Sequence, residues 1–179
     1  MTVLQTRYRS SMRSDHPVLP ADPIHEDWMA LALDQAAAAL THQDVPIGAV
    51  VVQLGGTANN SGAAKVIASR HNEREVNADP LAHAEMLVIK DAATALGRWR
   101  LDDCIVVVTL EPCPMCAGAL WASRINSVVF GAEDPKAGAL GSLYHLGQDP
   151  RLNHEFAVRG RVREAECAEL LVSFFASRR

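Results

Sequence analysis

The stretch CIVVVTLEPCPMC, residues 104–116, constrains the fold more than any other part of the chain. Seven uncharged, mostly β-branched residues from Cys104 to Leu110 leave no side chain suited to a solvent face, so they read as a strand buried on both sides. Pro114 then opens a helix over 114–123, because its fixed φ and missing N–H suit a first helical turn. A strand covered on both faces needs helices above and below it, which implies an α/β sandwich. At the same junction stand Cys113 and Cys116. That spacing turns both sulfurs to one side of a helix start, where unpaired N–H groups favour thiolate over thiol.

The rest of the chain alternates in the same way. Asp22-Pro23 begins a helix in which Trp28, Leu31, Ala32, Gln35, Ala36, Ala39 and Leu40 recur at helical spacing. Ile47 to Val52 and Lys65 to Ser69 are two strands, joined as a hairpin by GGTANNSG at 55–62. Asp79-Pro80 is placed to cap a helix ending near Leu96, with Gly97 as its terminator. Strands follow at 127–131 and 155–159, then a final helix at 163–176. On that helix Cys167, Leu170, Leu171, Phe174 and Phe175 form a core stripe. Cys167 and Cys104 are therefore expected in the core. Residues 1–21, with Arg7, Arg9 and Arg13 and no periodicity, read as a flexible leader, and 22–179 as one domain. A transit peptide shares the leader's composition, but the segment is short.

Composition removes several function classes. No apolar run approaches the roughly 18 residues that span a bilayer, and no secretory segment opens the chain, so a cytoplasmic protein is expected. Four cysteines among 179 residues are too few for a disulfide scaffold, which directs the close pair to metal or catalysis. The net charge of −4 argues against a general nucleic-acid binder. The balance is uneven, however: from 151 onward six arginines face four glutamates, so a polyanion would be held locally.

Two thiolates do not complete a tetrahedral metal site. His83, at an earlier junction in the stretch DPLAHAE, is the third candidate ligand. Three ligands leave one corner for water, and a catalytic zinc lowers the pKa of that water to about 7. Glu85, two residues from His83, is off the ligand's helical face and is free to handle protons. An isolated CxxC can equally be redox-active or structural. A non-catalytic zinc module would need a fourth ligand, for which Cys104 is the candidate. H-x-E followed by P-C-x-x-C is the signature of zinc-dependent base deaminases.

Over about residues 25–179 the chain resembles the bacterial tRNA-specific adenosine deaminases of the cytidine deaminase-like superfamily. The resemblance lies in VPIGAVVV, HNERE, DPLAHAE, LGRWRLDDC, VTLEPCPMCAGAL, SRINSVVFGAEDPKAGALGSL, LNHE and LLVSFFASRR. It implies a mixed five-stranded sheet in a three-layer α/β/α sandwich, one zinc ion per subunit, a homodimer, and deamination of the wobble adenosine of an anticodon to inosine. It also implies His83, Cys113 and Cys116 as zinc ligands, Glu85 as the proton shuttle and Asn72 as a nucleoside contact. Asn72 has a second reading, as a turn residue after the second strand. Lys136, in DPKAGALGSL, and Arg178, next to Arg179, correspond to parts near the anticodon loop. Guanine deaminases also carry EPCPMC, so a free-base or nucleotide deaminase is the alternative. His71 adjoins Asn72 and can line the pocket, while the other histidines lack ligand spacing.

Overall fold

The computed structural model describes residues 18–56 and 62–178. Residues 1–17 of the expected leader, residues 57–61 of the polar turn, and Arg179 lie outside the described residues. Val18 forms a parallel bridge with Val158, and the Leu19 N–H donates to the Val158 carbonyl at 3.2 Å. The last residues of the leader segment thus run beside the sheet.

In chain order the elements are α1 (Ile24–Ala39), β1 (Gly48–Gln53), β2 (Lys65–His71), α2 (Arg74–Asn77), α3 (Ala84–Leu96), β3 (Cys104–Leu110), α4 (Pro114–Ala122), β4 (Ser127–Ala132), β5 (Ala157–Arg159) and α5 (Glu164–Ala176). The five strands form one mixed sheet in the order β2-β1-β3-β4-β5. β1 is antiparallel to both β2 and β3, whereas β3, β4 and β5 are parallel. The expected three-layer α/β/α sandwich is what forms.

Strand periodicity of two divides the core into two halves. Val50, Val52, Ile105, Val107 and Val129 face α1 and α5, where Trp28, Met29, Ala32 and Cys167 cover them. Ala49, Val51, Val106, Val108, Val128 and Phe130 face the other way, onto Ala84, Val88 and Ala92 of α3 and Ala117 and Leu120 of α4. Each fully buried valine stabilises the fold by roughly 1.5–3 kcal/mol relative to an exposed one. The central strands are apolar on both faces because both faces are covered.

One helix starts later than its capping signal indicated. Asp79 does not cap α3: its carboxylate accepts the Leu81 N–H at 2.8 Å and its carbonyl accepts the Ala82 N–H at 3.1 Å, closing a turn. His83 follows in extended backbone, φ −71° and ψ 147°, as the N-cap of α3. The four-residue helix α2, ended by Ala78 at φ 49°, is too short to show periodicity in sequence. At the other end of α3, Gly97 takes the left-handed conformation, φ 65°, as expected of a helix terminator.

Topology sets the site. β2 and β3 both run antiparallel to β1, so they point the same way, and β4 is parallel to β3. Their C-terminal ends therefore share one sheet edge, from which α3, α4 and the loop after Ala132 depart. The chain entering β1 from Asp44 reaches the same edge.

Candidate active site

His83 and Cys113 are the N-caps of α3 and α4, and Cys116 lies in the first turn of α4. His83 Nδ1 stands 3.9 Å from Cys113 Sγ and 3.6 Å from Cys116 Sγ. All three donor atoms lie within 4.8 Å of one another, and they are the one group of this kind among the described residues. Tetrahedral zinc with ordinary Zn–S and Zn–N bonds separates its sulfur and nitrogen ligands by about 3.6 Å. The donor set and its spacing therefore fit that ion. Cys104 is not a fourth member: it lies at the far end of β3, a strand's length of about 20 Å away at a rise of about 3.3 Å per residue.

The electrostatics favour anions here. Two helix N-termini meet at the cluster, each presenting unpaired N–H groups. The hydrogen bond from Cys116, with a further one to His83, holds the Cys113 thiol far below its usual range, at about 3. Cys116 is pushed up by that same bond and by burial. The hydrogen bond with Cys113 raises His83 above its ordinary value. Glu85, on the first turn of α3, is only 4% exposed, and burial raises its carboxyl above the usual range. It lies close enough to His83, Cys113 and Cys116 for its charge to shift their protonation.

A sequence profile of the MafB19-like deaminase family matches residues 24–179. The tRNA-specific adenosine deaminase of Bacillus subtilis (strain 168) is 48% identical over 150 residues, covering 84% of this chain and 88% of that protein. The chain belongs to this deaminase family. A solved structure from work on A-to-I editing by tRNA:A34 deaminases at the wobble position of transfer RNA superposes with a TM-score of 0.73 at 41% identity, covering 81% of this chain and 99% of that one. The guanine deaminase of Bacillus subtilis matches less completely, with a TM-score of 0.53 at 38% identity over 61% of this chain and 64% of that one.

The remaining expected site residues are placed as follows. Asn72, 2% exposed, follows β2 directly, and its amide nitrogen donates to Asp44 at 3.0 Å. Lys136 is exposed on the loop after β4. Arg178 lies over the Phe174 ring, 4.0 Å from its centroid, and donates to the Gln43 carbonyl at 2.6 Å. That contact brings the end of α5 to the segment preceding β1. Of the two C-terminal phenylalanines, Phe174 is buried and Phe175 is half exposed. His71 pairs with His42, Nε2 to Nε2 at 2.9 Å.

The basic excess of the C-terminal segment is mostly committed within the chain. Arg161 pairs with Glu133, Arg163 with Glu166 and Arg151 with Asp149. Two buried carboxylates at the site edge were not singled out from sequence: Asp44 and Glu111. Asp44 stands four residues before β1 and Glu111 directly after β3, and neither position carries a stronger signal in the sequence.

Proposed function

We propose that His83, Cys113 and Cys116 hold one zinc ion per subunit and that the deaminase acts on the wobble adenosine of an arginine ACG anticodon, giving inosine and ammonia. The observation that carries the reading is the triad of N and S donors at two helix N-termini with the buried Glu85 carboxyl beside it. Hydrolytic deamination places water oxygen on C6 of adenine and breaks the C6–N6 bond. His83, Cys113 and Cys116 would hold the zinc, which would supply a water acidified to a pKa of about 7. The chain must provide one group that takes a proton from water and passes protons to the ring nitrogen and the departing amine. Glu85 is that group, since it is close to the ligands yet absent from the donor triad.

An adenine cannot be reached while stacked, so the base must be splayed out of the anticodon loop. Asn72, with an amide that both donates and accepts, holds the flipped nucleoside. Lys136 and Arg178 meet backbone phosphate of the anticodon arm. Resemblance further supports a homodimer acting in the cytoplasm. No helix among the described residues is long and apolar enough to cross a membrane.

The deciding experiment incubates the zinc-loaded protein with an ACG anticodon stem-loop and measures inosine. Product formation is expected. A protein with full zinc that leaves the stem-loop unchanged refutes the substrate assignment. Turnover of free guanine without RNA would instead favour the guanine deaminase reading, which the similarity to the Bacillus subtilis enzyme supports.

A further inference from the structure

Glu111 ends a strand's apolar run and is 2% exposed, yet among the described residues no cation pairs with it. Its hydrogen bonds all come from a single loop. Oε1 accepts the Leu140 N–H at 3.0 Å and the Ser142 N–H at 2.9 Å, while Oε2 accepts the Asp134 N–H at 3.1 Å and the Ser142 hydroxyl. A carboxylate buried without such donors would cost several kcal/mol, and an apolar side chain would fill the same space without that cost.

The loop's backbone is shaped to this contact. A Cβ on Gly138 would fall 2.3 Å from Glu111 Oε2 and 2.6 Å from the Asp134 carbonyl, so the chain passes too close for any side chain. A second tie joins the next residue of each segment, with the Ala139 N–H donating to the Pro112 carbonyl at 2.8 Å. The loop is thus fastened at residues 111 and 112, immediately before the candidate ligand Cys113.

We propose that Glu111 is a positioning residue that fastens loop 134–143 to the start of α4, so that the exposed Lys136 meets RNA phosphate in fixed register with the His83–Cys113–Cys116 triad. This rests on the anticodon arm being the substrate. A loop already ordered loses less conformational freedom on binding, so anchoring acts on affinity more than on chemistry.

The test compares the full zinc-loaded chain with Glu111→Gln, which turns an amide donor toward N–H donors. The KM for the ACG stem-loop rises about tenfold, as expected for charge-assisted hydrogen bonds, while kcat changes by less than about threefold. Zinc stoichiometry is unchanged, and hydrogen exchange accelerates at the Leu140 and Ser142 amides but not in β1 or β3. Unchanged KM, or a kcat loss at constant KM, overturns the inference. Should Glu111→Gln not fold, Gly138→Ala displaces the loop with the carboxylate in place, and Ser142→Ala removes one donor. Both raise KM on this account, and neither doing so overturns it. A wild-type chain inactive on the stem-loop overturns the substrate reading instead. Exchange at Leu140 and Ser142 then decides the anchoring by itself, and equal rates in wild type and Glu111→Gln overturn it.

Discussion

The Asn72 amide donates to the fully buried Asp44 carboxylate at 3.0 Å. Asp44 also accepts the N–H groups of Glu75 at 3.0 Å and Val76 at 3.1 Å, and meets His42 Nδ1 at 3.1 Å. One carboxylate therefore fixes the amide of Asn72 and the start of α2 together. Asp44→Ala leaves these donors unpaired and is expected to destabilise the fold by about 2–4 kcal/mol. Denaturant unfolding monitored by circular dichroism checks this, and a loss near zero would contradict the role.

Cys116→Ser and His83→Ala are expected to lose most bound zinc, because each removes one of three donors. Glu85→Gln, in contrast, should retain zinc while turnover falls by about a hundred- to ten-thousandfold. Metal analysis beside single-turnover assays separates the two classes. Zinc loss in Glu85→Gln, or near-wild-type turnover, would remove the proton-shuttle assignment.

The zinc-module alternative predicts that Cys104 ligates, but the geometry separates it from the triad. Cys104 is fully buried, and burial drives its thiol up to about 12, which suits a packing residue. Cys104→Ala should therefore keep a full complement of zinc and cost about 1 kcal/mol through lost packing. A drop in zinc stoichiometry would reverse this conclusion.

Asp103 links stability to acid. Burial opposes its ionisation, but hydrogen bonds from Gln53, at 2.9 Å, and Arg98 outweigh burial and hold the carboxyl below its ordinary value. A folded-state value below the unfolded one gives stability that is fully present above the unfolded value, about 3.9, and is lost as pH falls through the folded value. Asp103→Asn should thus be less stable than wild type at neutral pH, with the difference shrinking below about pH 4. Urea midpoints across pH 3–7 would show it, and a constant difference throughout would contradict it.

Lys136 is exposed, so its substitution should leave the fold unchanged. Lys136→Ala is expected to raise the KM for the stem-loop several-fold and to reduce the slope of log affinity against log salt by about 0.7, the value for one phosphate contact on a single strand. Equal slopes for the two proteins would remove Lys136 from the RNA interface.

Legibility in the sequence varied with the range of the interactions involved. β3 and α4 were readable almost to the residue, because an uncharged β-branched run and a proline at 114 are local signals. The start of α3 was misplaced because Asp79-Pro80 carries the same local chemistry whether it caps a helix or closes a turn. α2 is a single turn with no period to detect. The His83, Cys113 and Cys116 set stood out by residue type and spacing, but Asp44 and Glu111 did not. His42 beside Asp44 apart, their partners lie 28 to 32 and 23 to 31 residues away, and no local pattern announces such pairings.

By itself, the sequence determined the alternation of strands and helices and the two-faced core, and it singled out the candidate metal donors, since periodicity and side-chain chemistry are properties of short segments. The tertiary structure decided the rest. Only the parallel direction of β2, β3 and β4 brings two helix starts and one loop to a common edge. Only there do three donors separated by 30 and 33 residues come within bonding range of one ion, and only there do two buried carboxylates meet the distant N–H groups that make their burial tolerable.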